Sequence, residues 1–287
     1  MNTDSTLLVA TDLDRTLVPN GPEPESPGAR DAFARFVADG SVVLAYVSGR
    51  DRRLVADIMA AFELPAPDFV IADVGTTVWR VGDSTWDFDA GWRDRLAARW
   101  AGLGSAGIAA LLAPMAALTM QEEHKQGEFK VSYYVAASAR RDLLDDEVRR
   151  RLDDAGVNAN RVWSMDQASN VLLLDILPAG ADKLAALEYL GESTGIAVEN
   201  MLFAGDSGND IAVLASALPS VLVANALPEV AREALAASRA AGTIDRLYLA
   251  RGGFLGMNGN YAAGILEGIA HLFPNRTAAL REAARAA

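Results

Sequence analysis

Asp12 and Asp14 stand two residues apart where the run Leu7-Leu8-Val9-Ala10-Thr11 ends. A short aliphatic run of this kind reads as a buried strand. In an open parallel sheet, chemistry gathers beyond the carboxyl ends of the strands. If the chain is still extended there, both carboxylates point to one side of it. Two carboxylates so close repel, which favours a cation between them or a proton held on one. The pair suits phosphoryl transfer through a metal and a carboxylate nucleophile. The same stretch imitates a calcium loop, with Asp12, Asp14, Thr16 and a twelfth-position Glu23. That loop needs a glycine where Leu17 stands, and a helix before it.

Three further stretches carry groups that chemistry of this kind needs. Ser48-Gly49-Arg50 follows the apolar run Ser41–Val47, and a hydroxyl followed by glycine at a strand end can offer a side chain and a backbone N–H to a phosphate oxygen. Lys183 opens a helical stretch, Leu184 to Leu190, where a lysine opposes the helix dipole, so an anion is expected nearby. Gly205-Asp206-Ser207-Gly208-Asn209-Asp210 follows the run Met201–Ala204 and brings two more aspartates to a strand end.

Composition narrows the partners. The chain has 287 residues and a formal net charge of −12, which argues against nucleic acid and requires local cations for any phosphate ester. Of 26 basic residues only Lys125, Lys130 and Lys183 are lysines. A site needing a compact point charge cannot freely exchange lysine for the planar fork of arginine. There is no cysteine, hence neither a disulfide nor a thiolate metal site. Met1 to Thr6 lacks the basic and apolar regions of a signal peptide. Ala101 to Met120 is uncharged, yet Gly102, Gly104, Ser105, Gly107 and Pro114 break it, so a loop and short helix are expected rather than a membrane span. A cytoplasmic protein with no membrane partner is expected.

The elements that must position these groups alternate. Strands are expected at Leu7–Thr11, Ser41–Val47, Phe69–Ala72, Met201–Ala204 and Leu218–Ala224. Helices are expected at Ala29–Ala38, Asp51–Phe62, after Asn225 and at Tyr261–Phe273, and the pattern implies a parallel βαβ sheet. The final Ala/Arg-rich stretch is expected to fray. From about Thr76 the rhythm changes. Gly102–Gly107 matches a dinucleotide fingerprint, with Glu122 about twenty positions on, but a charged helical stretch (Trp92–Trp100) precedes it where a strand is required. Leu118–Val135 reads as a hairpin turning near Gln126-Gly127 and carrying Gln121, Glu122, Lys125 and Lys130, polar groups suited to hydroxyls. A helix is expected over Ala137–Ala155, with strands at Arg161–Ser164 and Asn170–Ile176.

Asp12-Leu-Asp-Arg-Thr, Ser48-Gly49, Lys183 and Gly205-Asp-Ser-Gly-Asn-Asp210 occur in the order of the four haloacid-dehalogenase (HAD) superfamily motifs, and the chain resembles that superfamily. The gap between Ser48 and Lys183 places it in the branch with a large cap inserted between the second and third motifs. The resemblance implies an α/β fold: a Rossmann-like parallel-sheet core (residues 1–78 and 179–287) with an inserted α+β cap of the C2B type (79–178). Within that branch the chain is similar to the sucrose-phosphate and mannosylfructose-phosphate phosphatases. That likeness rests on Val74-Gly75-Thr76, Met120-Gln-Glu-Glu, Phe129-Lys-Val-Ser-Tyr and the segment Tyr261–His271. Two residues depart from the pattern: Arg15 replaces a small or amide residue, and Leu184 a glycine.

By that resemblance the chain is a phosphoric monoester hydrolase. Asp12 is the nucleophile, and Asp14 protonates the departing sugar oxygen and then activates water. Mg²⁺ is held by Asp12, the Asp14 main-chain carbonyl and Asp206, with Asp210 adjacent. Ser48 and Lys183 hold the transferring phosphoryl group. Gly49, Arg50, Gln121, Glu122, Lys130, Ser132 and Asn209 are the candidates for substrate contact. The implied substrate is a small sugar phosphate, most closely a disaccharide phosphate such as sucrose 6-phosphate. Another glycosyl phosphate and a phosphosugar mutase are the alternatives, and a regulatory module on a dead scaffold would be expected to lose Asp12, Asp14 or Lys183.

Overall fold

A computed structural model describes residues 6–82, 85–136, 138–166 and 171–286. The chain divides into two compact units, Met1–Asp87 with Lys183–Ala287, and Phe88–Asp182.

In the first unit β1 (Leu7–Asp12) is buried at every position, as an aliphatic run covered on both sheet faces must be. α1 (Ala29–Val37) buries Ala29, Ala32, Phe33, Phe36 and Val37, the stripe that a 3.6-residue period turns to one side. β2 (Val42–Val47) lies parallel to β1, with Asp12 opposite Val47. α2 (Arg52–Ala61) starts where Asp51 accepts the Leu54 N–H at 2.9 Å. β3 (Phe69–Ala72) is followed by β4 (Thr77–Val81), which runs antiparallel to it, and by β5 (Trp86–Phe88). The pairing of Ala72 with Thr77 corrects the expected boundary at Trp79. The change of rhythm near Thr76 is the sheet turning from parallel to antiparallel, and the second unit begins at Phe88 and ends at Asp182 rather than Pro178.

The second unit holds α3 (Ala90–Arg99), α4 (Ser105–Leu112), β6 (Thr119–Met120), β7 (Val131–Ala136), α5 (Arg141–Asp154), β8 (Ala159–Asp166) and β9 (Val171–Pro178). Its antiparallel sheet has the order β6-β7-β9-β8. Val131, Tyr133 and Val135 are buried, as are Trp92, Leu96, Ile108, Leu112, Val148 and Leu152 from the helices, giving this unit its own core. The expected hairpin is present, but its first arm is only the two residues of β6. The Gly102–Gly107 segment joins α3 to α4, so a helix stands where a dinucleotide site needs a strand. Ala137 and Asn170, expected to open a helix and a strand, lie outside the described residues.

The first unit resumes with α6 (Lys183–Thr194), β10 (Met201–Gly205), α7 (Ile211–Leu214), β11 (Ser220–Leu222), α8 (Pro228–Ala241), β12 (Leu247–Leu249), α9 (Ala262–Leu272) and α10 (Thr277–Ala286). Among the described residues its sheet has eight strands in the order β12-β11-β10-β1-β2-β3-β4-β5. α9 lies close on β11: a Cβ at Gly268 would sit 2.6 Å from Val221 Cβ. The C-terminal stretch does not fray as expected. α10 packs on α1, Leu280 is fully buried, and Arg276 just before it donates to Ser41 Oγ at 2.6 Å. No helix among the described residues is long and apolar enough to cross a membrane.

Candidate active site

β10, β1 and β2 are neighbours in the parallel sheet, so the segments after their last residues emerge side by side. This register brings the Asp12 and Asp206 segments and Ser48 to one edge. Asp12 is 6% exposed, and its Oδ1 lies 3.5 Å from Lys183 Nζ. Lys183, 2% exposed at the start of α6, donates to Asp210 Oδ1 at 2.7 Å and to Asn209 Oδ1 at 3.0 Å. The anions expected beside this lysine are therefore Asp12 and Asp210. Burial alone would lower its pKa, but those two carboxylates outweigh burial and raise it.

Asp210 is fully buried, and its other oxygen accepts the N–H groups of Asp206 and Ser207, both at 3.1 Å. That approach is why position 205 is glycine: a Cβ there would lie 2.6 Å from Asp210 Oδ2. Asp206 Oδ1 accepts from Thr16 Oγ1 and its Oδ2 from Arg15 Nε, both at 3.2 Å. One carboxylate oxygen from each of Asp12, Asp206 and Asp210 lies within 4.8 Å of the others. A buried, all-oxygen donor set of this kind fits a hard divalent cation such as Mg²⁺.

Asp14 is more exposed. Arg50 grips its carboxylate with both arms, Nε to Oδ2 at 2.6 Å and Nη2 to Oδ1 at 2.7 Å, and Asn20 Nδ2 adds a bond at 2.6 Å. The Arg50 hydrogen bonds hold the Asp14 carboxyl below its ordinary range despite partial burial. Ser48 is 1% exposed, and its own N–H donates to Ile71 O at 2.8 Å. Its Oγ accepts the Arg50 N–H at 3.1 Å. The loop is braced from β3–β4: Val74 N donates to Ser48 O and Asp73 N to Arg50 O, with Asp73 and Val74 at φ 51° and 61°. A β-branched valine in that conformation is strained, which fits a loop held in place for a purpose. Asp12, Asp14, Arg15, Gly49, Arg50, Asp206 and Asn209 line an open cavity of about 350 Å³. A larger apolar cavity of about 570 Å³, by Glu188, Ile196 and Leu218, holds none of these groups, so size alone does not mark the site.

The remaining candidates belong to the second unit. Glu122 is exposed and accepts from Tyr134 Oη at 2.8 Å, with Lys125 Nζ 3.2 Å away. Its own backbone N–H, Tyr134 and Lys125 hold its carboxyl down at about 2. Lys130 is half-buried beside the Gly127 turn. Gln121 and Ser132 lie inside the unit: Gln121 Nε2 donates to Tyr133 O at 3.0 Å, and the fully buried Ser132 donates to Asp175 Oδ1 at 2.5 Å. These two brace the hairpin. Sequence reasoning missed Asn20, Thr16 and Asn225 as site partners. Thr16 alone had a signal, standing inside the aspartate motif.

A family model for sucrose-6F-phosphate phosphohydrolases matches residues 5–273. The chain belongs to this family. It is 43% identical over 272 residues to a putative HAD-like hydrolase of Nitrosococcus oceani, covering 95% of this chain and 73% of that one. It is 31% identical to the mannosylfructose-phosphate phosphatase of Agrobacterium fabrum, covering 92% and 96%. Among solved structures, the sucrose-phosphatase of Synechocystis sp. PCC6803, in complex with sucrose and phosphate, superposes with a TM-score of 0.67 at 26% identity, covering 93% of this chain and 98% of that one. The chain is a HAD-type phosphatase, a phosphoric monoester hydrolase with an α/β fold.

The carboxylates of this phosphatase make its stability depend on pH. Burial raises the Asp12 carboxyl to about 7 against the pull of Lys183, with Asp210 and Asp206 adding to the rise. Burial and Asp210 raise Asp206 as well. A carboxyl raised in the folded state favours folding fully below its ordinary value, 3.8, and loses that contribution as the pH climbs through the raised one. The metal-free protein is therefore expected to lose stability between about pH 4 and 7, and Mg²⁺ to oppose the loss. Urea unfolding across that range, with EDTA and with Mg²⁺, checks this, and a flat metal-free curve would contradict it. Asp14 acts in the opposite sense. Its lowered carboxyl contributes stability above about pH 4 that is lost only on further acidification.

Proposed function

We propose that the chain is a Mg²⁺-dependent phosphatase for a phosphorylated sugar, most closely a disaccharide phosphate such as sucrose 6-phosphate. The observation that carries the reading is the meeting of Asp12, Lys183, Asp206 and Asp210 at adjacent strand ends. In this reading an Asp12 oxygen attacks phosphorus and the sugar oxygen leaves with a proton from Asp14. An acyl phosphate remains on Asp12. Asp14 then takes a proton from water, which attacks that phosphorus and releases phosphate and free Asp12. Mg²⁺ held by Asp12 and Asp206, with the Asp14 carbonyl and Asp210 beside it, would neutralise charge on the phosphoryl oxygens.

Arg50 gives the sequence of states a physical basis. Paired with Arg50, Asp14 is an anion, which suits the water step and not the acid step. An incoming phosphate dianion competes for the same guanidinium. Once Arg50 turns to it, the Asp14 carboxyl returns toward its ordinary affinity for a proton. Lys183 and Ser48 hold the phosphoryl oxygens, with Gly49 and Asn209 beside them. Glu122 and Lys130 of the second unit are the candidates for recognition of the sugar, being polar groups that can accept from and donate to its hydroxyls.

The test is phosphate release from a panel of phosphorylated mono- and disaccharides with Mg²⁺, and again after exhaustive chelation. A disaccharide phosphate is expected to give the highest kcat/KM, and chelation to remove activity that Mg²⁺ restores and Ca²⁺ does not. Full activity without metal would refute the metal assignment. Phosphoryl transfer to a second sugar hydroxyl, in place of release, would favour the mutase.

A further inference from the structure

Arg15 and Tyr261 both hold backbone conformations that suit glycine, with φ of 58° and 51°. Such conformations persist only where the surroundings over-determine them. One buried amide joins the two. Asn225, 4% exposed, donates from Nδ2 to Arg15 O at 2.6 Å and accepts the Tyr261 N–H at Oδ1 at 2.9 Å. Asn20 accepts the Arg15 N–H at 2.8 Å, so both peptide groups of this residue are clamped. The Tyr261 hydroxyl closes the circle on Glu23 O at 3.1 Å.

This clamp aims a guanidinium. Arg15 Nε donates to Asp206 Oδ2 at 3.2 Å and Nη2 to Asn225 O at 3.1 Å, and the side chain lines the cavity with Asp12, Asp14 and Arg50. Lys183 serves Asp12 and Asp210, and Arg50 serves Asp14. Among the described residues Arg15 is the one ion-pair partner of Asp206. Glu23 offsets part of its charge from the partly exposed end, at 3.4 Å.

We propose that Arg15 is a fixed cation that weakens the site's hold on its divalent metal ion and strengthens its hold on the phosphate dianion. A metal ion held by Asp206 would share that carboxylate with the guanidinium and be repelled by it. The dianion, arriving last, meets one more positive charge than the carboxylates, Lys183, Arg50 and the metal would present without it. A residue that only oriented Asp206 would act differently: its loss would weaken metal binding, as loss of an outer partner of a metal ligand does. The inference rests on the phosphatase reading for the identity of the anion, but its test reads affinities rather than turnover.

The experiment is calorimetric titration of Mg²⁺ into the wild-type chain, Arg15→Asn and Arg15→Lys, followed by inorganic phosphate at saturating Mg²⁺. Asparagine adopts positive φ readily, so Arg15→Asn keeps the backbone conformation. It leaves the buried Asp206 without its ion-pair partner, so the metal-free variant should melt below the wild type and recover on adding Mg²⁺. Arg15→Asn is expected to bind Mg²⁺ about tenfold more tightly and phosphate about tenfold more weakly. Arg15→Lys, which keeps the charge, should stay within about threefold of wild type for both. Parallel loss of both affinities, no change in either, or a lysine variant that behaves like the asparagine one overturns the proposal. The sugar-phosphate panel, run on the same wild-type preparation, judges the functional reading separately, since opposed shifts in the two affinities would stand without any turnover.

Discussion

Asp12→Asn is expected to stop phosphate release, lowering turnover by about 10³-fold or more, ~4 kcal/mol in barrier. The amide nitrogen and oxygen fill the same space, but neither makes the acyl phosphate that the proposed reaction needs. The fold should not suffer. Asp12 is 6% exposed, and burial already drives its carboxyl toward the protonated form, so a neutral amide removes a charge the interior disfavours. In EDTA the variant should therefore melt no lower than the wild-type chain. Steady-state phosphate release and thermal unfolding on one preparation measure both effects. Turnover within about tenfold of wild type, ~1.4 kcal/mol, would exclude Asp12 as the nucleophile.

Lys183→Met reverses the second half of that result. Methionine matches much of the lysine stem, so packing around α6 is kept while the charge is lost. Asp210 is fully buried and Lys183 is its ion-pair partner at 2.7 Å, so the variant leaves a buried carboxylate without its cation. Removing one partner of a buried pair costs roughly 3–5 kcal/mol. The metal-free variant should lose about that much stability to urea, and Mg²⁺ should return part of it. Turnover should fall by about 10²–10³-fold, because the proposed reaction loses its fixed cation at the phosphoryl group. Adding Asp12→Asn to the same chain should recover some stability, since the two share one electrostatic environment. A lysine variant as stable in EDTA as the wild type would mean that Asp210 does not depend on Lys183.

The candidate site was legible where its residues announce themselves locally. Asp12, Ser48 and Asp206 stand at or just beyond the ends of aliphatic runs, and strand ends in a parallel sheet are where a site forms. Lys183 stood out as one of three lysines at an electrostatically awkward helix start. The hairpin was legible too, but the duty of its polar residues was not. Ser132 and Gln121 look as suited to a sugar hydroxyl as Glu122 does. Only burial and the pairing of Ser132 with Asp175 show that they brace their own sheet. The antiparallel strand β4 was read as the start of the insert, because an antiparallel strand has no signature distinguishing it from the strands of a following unit.

The sequence by itself determined the chemical groups and their order: the first aspartate pair, the serine hydroxyl, the lysine and the second acidic pair, each on or beside an element whose periodicity places it. Tertiary structure alone decided which charge faces which. Arg50 meets Asp14 because β2 lies beside β1, and Arg15 meets Asp206 because β10 lies on the other side. Asn225 binds Arg15 because the segment after β11 passes the same edge. These partners are brought together by strand register, and a pairing set by register across many residues of chain leaves no local pattern for either residue to show.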